Sequence, residues 1–198
     1  THVVVDPADP AFQNPTKPIG PHYASVRARE LERERGWALK EEAGRGWRRV
    51  VPSPRPLEVL ELAAVRTLLD SGQLAVAVGG GGIPVVRRDD AFDGIDAVID
   101  KDHASALLAV GLEAQRLVIL TQVPGVYRAF GADGPDGEPI AELDPERDAG
   151  LVDELPAGSM RPKVAAAFAF VAQTGGEALI TSAEAVGDGE AGTRVRRL

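Results

Sequence analysis

From Leu57 onward the chain alternates amphipathic stretches of helical length with short continuous apolar runs, and this alternation constrains the fold to a mostly parallel sheet with helices on its faces. The spacing predicts helices over 57–70, 102–112, 144–152 and 161–174, and strands over 74–78, 117–121, 178–181 and 193–196. The runs 74–78, 117–121 and 178–181 are continuous and mostly apolar, as parallel strands covered on both faces should be. The first quarter reads differently. Val3, Val4 and Val5 are β-like, but five prolines within 6–21 predict an extended, stiff loop without regular structure. An Arg- and Glu-rich helix over 24–35 should be solvated on most of its surface. Two β-like segments, 37–40 and 47–51, flank Gly44-Arg45-Gly46 and suggest a hairpin, after which the prolines of 52–56 form a rigid linker. Residues 1–54 are therefore expected to form a small element apart from the α/β portion of 55–198. The segment 132–139, rich in Gly, Asp and Pro, reads as an exposed loop.

Composition excludes several functions. The 30 acidic residues outnumber the 22 basic ones, for a net charge of −8, which opposes a nucleic-acid partner held by a broad basic face. There is no cysteine, so thiolate metal sites, disulfides and cysteine nucleophiles are absent, and a reducing compartment suits the chain. The three histidines show no ligand spacing, and no metal-ligating set is expected. The longest strongly apolar stretch, 164–172, is about half of the roughly 20 residues that cross a bilayer, so no membrane partner is expected. The beginning at Thr1 reads as a cut in a longer chain.

Five features could carry chemistry. Gly79, Gly80, Gly81 and Gly82 follow the expected strand 74–78, at the carboxyl end where α/β sheets bind ligands; backbone N–H groups there could cradle an anion, or the run could be a tight turn. Neither a Walker A loop nor a Gly-x-Gly-x-x-Gly helix opening is present. Asp100-Lys101-Asp102 stands at a helix start, where Asp102 would be a good cap and Lys101 could neutralise a phosphate or merely face water. Lys163, just after Pro162, lies in the first turn of the last long helix, where a cation opposes the helix dipole; a bound polyphosphate would justify it, as would simple exposure to solvent. Lys17 sits in Pro15-Thr16-Lys17-Pro18-Ile19-Gly20-Pro21, a backbone stiff enough to hold a lysine over a site or to act only as a linker. Thr121-Gln122-Val123-Pro124-Gly125-Val126-Tyr127 follows a buried strand and offers polar backbone, a hydroxyl and an aromatic face to a purine, although a single tyrosine is commonly core. Three lysines and a glycine run are what phosphoryl transfer asks of a protein, namely alignment and opposing charge without a nucleophile.

These segments, with Val5-Asp6-Pro7, Arg48-Arg49-Val50-Val51-Pro52-Ser53-Pro54, Gly79 to Pro84, Ala97 to Asp102, Leu120-Thr121 and Ser159-Met160 with Pro162-Lys163-Val164, resemble the carbamate kinases of the amino-acid kinase superfamily, in the family's order and over nearly the whole chain. The resemblance implies an αβα sandwich with a small protruding subdomain, a cytoplasmic homodimer, and reversible transfer of a phosphoryl group between ATP and carbamate, with Mg²⁺ on the nucleotide. In the family this often serves ATP formation in arginine fermentation. By the same resemblance Lys17 would reach carbamoyl phosphate, Lys101 and Lys163 would contact the transferring phosphoryl and the nucleotide phosphates, and Asp102 would orient the lysines. Thr121, Val123, Tyr127 and Met160 would surround the nucleotide, with the glycines Gly79 to Gly82 near the phosphates. The family's opening strand and Gly-Gly-Asn phosphate loop have no counterpart after Thr1, so N-terminal strands are expected to be missing. A non-catalytic nucleotide-binding remnant, or a kinase for another acceptor, are the alternatives.

Overall fold

The computed structural model describes residues 1–131, 134–155, 159–188 and 191–198. The chain divides into two compact units, one of residues 1–61 and 77–100, the other of residues 62–76 and 101–198. The first contains β1 (His2–Val5), β2 (Lys17–Tyr23), α1 (Ser25–Arg35), β3 (Leu39–Glu42), β4 (Gly46–Val51), β5 (Pro56–Val59), β6 (Ile83–Arg88) and β7 (Ala91–Gly94). The second contains α2 (Leu62–Asp70), α3 (Lys101–Gly111), β8 (Arg116–Thr121), β9 (Ala129–Gly131), β10 (Gly134–Asp136), β11 (Glu142–Leu143), α4 (Leu151–Glu154), α5 (Met160–Thr174), β12 (Glu177–Ser182) and β13 (Thr193–Val195). The fold is mixed α/β.

In the first unit the three buried valines of β1 anchor a sheet of order β5-β1-β6-β7, in which β1 runs parallel to β6 and antiparallel to β5. A second sheet, β2-β4-β3, is antiparallel throughout. Its apolar face is covered by α1, whose Ala28 and Leu31 pack with Leu39, Tyr23, Trp37 and Trp47. The Arg49 guanidinium stacks 4.4 Å from the centre of the Trp37 ring. The expected hairpin is thus present as β3 and β4, but the irregular loop expected over 6–21 gives way at Lys17 to a third strand. Two prolines are tolerated in β2 because it is the sheet edge, where a missing N–H breaks no ladder, and its pairing with β4 shifts between Ile19 and His22.

In the second unit the sheet order is β11-β13-β12-β8, with β12 parallel to β8 and β13 antiparallel to β12. The apolar α5 packs on this sheet and on α3. Its Val164, Ala167, Phe170 and Val171 share a core with Leu117, Ile119, Ala178 and Ile180. Parallel pairing places the carboxyl ends of β8 and β12 side by side, with Thr121 opposite Ser182. No helix among the described residues is long and apolar enough to cross a membrane.

Three sequence expectations fail here. Residues 74–78 form no strand; Leu74 and Val76 are 99 % and 100 % exposed, because no described strand offers their N–H and C=O groups a ladder. The glycine run consequently leads into β6 instead of closing a strand. The helix expected from 57 starts only at Leu62, since residues 56–59 pair antiparallel with β1, Val3 opposite Val59; this pairing overrides the local helical pattern. The helix expected over 144–152 shrinks to α4. Its first half is a turn in which the Asp144 carboxylate accepts from the backbone N–H groups of Glu146 and Arg147 at 2.8 and 2.9 Å, a local alternative to helical bonding. Of the expected loop 132–139, residues 132 and 133 lie outside the described residues, and β10 pairs with β9 as a short hairpin.

Candidate active site

Two helix starts in the second unit face each other through one ion pair. Asp102 lies in the first turn of α3, where its carboxylate complements the helix dipole. Lys163 lies in the first turn of α5, where a cation does not. Its Nζ donates to Asp102 Oδ2 at 2.7 Å, with the two side chains 12 % and 9 % exposed. The solvent-facing alternative for Lys163 is thereby excluded. The same carboxylate compensates both the burial of the ammonium and the unfavourable dipole. Buried pairs of this kind contribute little net stability, because desolvating two charges offsets their attraction. What they supply is direction: one of the three ammonium donors is tied to the carboxylate, which fixes the place of the headgroup. Lys101, the residue before Asp102, is exposed. Ser159 at the start of α5 makes no side-chain cap, and Gly158 lies outside the described residues.

In the first unit, Lys17 at the head of β2 donates to Asp100 Oδ2 at 2.5 Å, with side chains 27 % and 11 % exposed. The two residues are 83 positions apart. Asp100 had stood in the sequence only as a neighbour of Lys101, and nothing local signals its partner.

The glycine run has two halves. A Cβ on Gly81 would fall on the Ile99 carbonyl, and one on Gly82 would fall on the Val3 side chain; both residues have positive φ, +111° and +90°. Those two glycines are demanded by packing. Gly79 and Gly80 are exposed, with open space where a side chain would stand, and they leave backbone free to meet a ligand. The Gly81 N–H is already spent on the Val78 carbonyl at 2.8 Å, and Val78 itself has φ of 46°, strained for a β-branched residue.

At the carboxyl end of β8, Thr121 and Val123 are half-buried. Tyr127 and Met160 are buried, Met160 within the core that α5 makes with the sheet, so each has little surface to offer a purine. Thr121 and the neighbouring Ser182 place two hydroxyl-bearing residues at that edge. Among the described residues no group of three His, Asp or Glu side chains could hold a metal ion.

A sequence model of the amino acid kinase family matches residues 15–182. This chain belongs to the amino acid kinase family. As an amino acid kinase it is 44 % identical over 200 residues to carbamate kinase 3 of Staphylococcus aureus (strain USA300), covering 99 % of this chain and 65 % of that protein. It is 43 % identical to the carbamate kinase of Pyrococcus horikoshii, covering 98 % of this chain and 63 % of the other. Among solved structures, carbamate kinase from Giardia lamblia bound to citric acid superimposes with a TM-score of 0.89 at 42 % identity, over all of this chain and 63 % of that one. Carbamate kinase from Giardia lamblia bound to AMP-PNP gives a TM-score of 0.80 at 42 % identity, over all of this chain and 64 % of that one. The amino acid kinase described here therefore spans about 65 % of the length of the curated relatives it matches. N-acetylglutamate synthase from Neisseria gonorrhoeae, at 21 % identity and a TM-score of 0.52, shares the fold alone.

Proposed function

We propose that this protein is a carbamate kinase, catalysing ATP plus carbamate to ADP plus carbamoyl phosphate and the reverse. The observation that carries the reading is the Lys163–Asp102 pair: a lysine ammonium held by a buried carboxylate at the start of a long helix, in a chain that matches carbamate kinases along almost its entire length. In this reaction a carbamate oxygen forms a bond to the γ-phosphorus as the bridging bond to the β-phosphate breaks, and the electron pair leaves on ADP. Charge spreads over the transferring oxygens and the leaving oxygen, so the protein's contribution is positioning and opposing charge. Lys163, oriented by Asp102, supplies such charge to the phosphoryl group, Lys101 supports it, and Lys17 engages carbamoyl phosphate. By likeness to the carbamate kinases, Thr121, Val123, Tyr127 and Met160 are assigned to the nucleotide, and Gly79 and Gly80 to its phosphates. With no cluster of three ligands among the described residues, Mg²⁺ would arrive as part of the nucleotide substrate, the usual habit of an ion that keeps its waters and binds phosphates. A cytoplasmic homodimer forming ATP in arginine breakdown extends the same reading and rests on the likeness alone.

The test is ATP formation from ADP and carbamoyl phosphate by the purified protein, run beside acetyl phosphate and an acyl amino acid phosphate as competing donors. Turnover with carbamoyl phosphate in clear excess over the others supports the reading. Preference for another acyl phosphate would reassign the acceptor, and nucleotide binding without turnover would leave a binding module.

A further inference from the structure

We propose that Asp100 is a positioning residue that aims Lys17 at its anionic ligand. The proposal takes the identity of that ligand, carbamoyl phosphate, from the function proposed above. Three observations carry it, all within the first unit. Lys17 Nζ lies 2.5 Å from Asp100 Oδ2, so one ammonium donor is committed, while the side chain keeps 27 % of its surface open for the remaining donors. Asp100 stands on a braced stretch of backbone: the Val98 N–H donates to the Pro52 carbonyl at 3.0 Å, and the Ile99 side chain is fully buried. Finally, the Ile99 carbonyl occupies the space that any Cβ on Gly81 would need, so the glycine run locks the peptide immediately before the carboxylate. Lys17 itself is on an edge strand with a prolyl residue on the next position and a register shift three residues on, a less regular support than the post it leans against. A long, flexible ammonium is therefore held by a short carboxylate whose own backbone is braced by a hydrogen bond and by close packing. Arrangements of this kind fix a donor before the ligand arrives, and the loss of alignment costs rate even when every contacting group remains.

The experiment combines kinetics with a chemical probe of Lys17. Asp100→Asn keeps the shape and removes the charge. It is expected to lower kcat/KM for carbamoyl phosphate by about 10- to 100-fold while leaving the KM for ADP within about twofold. Asp100→Glu, which restores the charge on a longer arm, should recover part of the loss. Because Asp100 acts through Lys17, the Lys17→Ala/Asp100→Asn double variant should be no worse than Lys17→Ala alone. Acylation of Lys17 by an amine reagent, followed by peptide mass spectrometry, should proceed faster in Asp100→Asn than in the parent protein, with the other lysines unchanged. Additive losses in the double variant, an equal rise in the KM for ADP, or unchanged labelling of Lys17 would each overturn the proposal. If the parent protein shows no turnover of carbamoyl phosphate, the function is misassigned, and the positioning role is then decided by the labelling alone.

Discussion

At the level of single residues, the placement of Lys163 illustrates how a local oddity becomes intelligible. A cation in the first turn of a helix is unfavourable by itself, and α5 offers it no relief from its own sequence. Asp102, 61 positions earlier, provides that relief. Removing Lys163 alone leaves a buried carboxylate with less compensation, a change that costs about 3–5 kcal/mol in comparable sites, within the usual stability margin of about 5–15 kcal/mol. Lys163→Ala should therefore still fold, melt at a lower temperature, and lose about 10²–10³ in turnover, as when one preorganised donor is deleted. Neutralising the orphaned partner separates the two effects: Lys163→Ala with Asp102→Asn should regain most of the melting temperature and none of the activity. If activity returned with stability, the lysine would have served the fold and not the phosphoryl group.

Between residue and molecule stands the loop that precedes β6. Its four glycines invite a single explanation, but the surroundings divide them. Gly81→Ala places a methyl group against the Ile99 carbonyl at a φ of +111°, and that neighbour cannot retreat cheaply, because it is backbone. A marked drop in the midpoint of thermal unfolding is expected, with Asp100 displaced as a consequence. Gly80→Ala meets open space and should change stability by no more than about 0.5 kcal/mol. Were that substitution to weaken ADP binding at unchanged stability, the outer half of the loop would be the part that faces phosphate. Differential scanning fluorimetry with and without ADP reads both quantities. Equal destabilisation by the two substitutions would refute the division.

Across the whole molecule, the acid limb of stability is set by a few well-served carboxylates. The backbone N–H groups of Arg147, Leu198 and Glu146 all donate to Asp144 and hold its pKa below the usual 3.8. The Arg147 guanidinium does the same for Asp148, and the His22 ring for Glu42, whose ordinary value is 4.5. A depressed carboxylate binds fewer protons folded than unfolded. Its contribution is thus complete above the ordinary values and disappears as pH falls through and below them. Unfolding midpoints should accordingly be level from about pH 7 to 5 and decline below about pH 4.5, with the decline shallower in Asp144→Asn. Because Asp144 ties Leu198 to the turn after β11, hydrogen exchange at β13 should rise early in that decline. A profile of the same steepness in Asp144→Asn would show that other groups govern it.

The elements that could be read directly were those whose burial repeats within a few residues. The valines of β1, the apolar run of β12, the Arg- and Glu-rich α1 and the apolar α5 each announce their environment at every turn or every second residue, and the helix starts at Asp102 and Lys163 followed from them; β8, read as covered on both faces, instead leaves Val118 and Leu120 41 % and 49 % exposed. The sequence by itself therefore determined the α/β class, most of the long elements and the residue types available to a phosphate. Only the tertiary structure decided which carboxylate serves which lysine, that two of the four glycines are consumed by packing, that two prolines can sit in the edge strand β2, and that residues 74–78, apolar as they are, form no strand. The physical reason is range: periodicity reports the face a segment turns to water, whereas an ion pair between residues 61 or 83 positions apart, or a ladder needing a neighbouring strand, exists only when the fold brings both partners together.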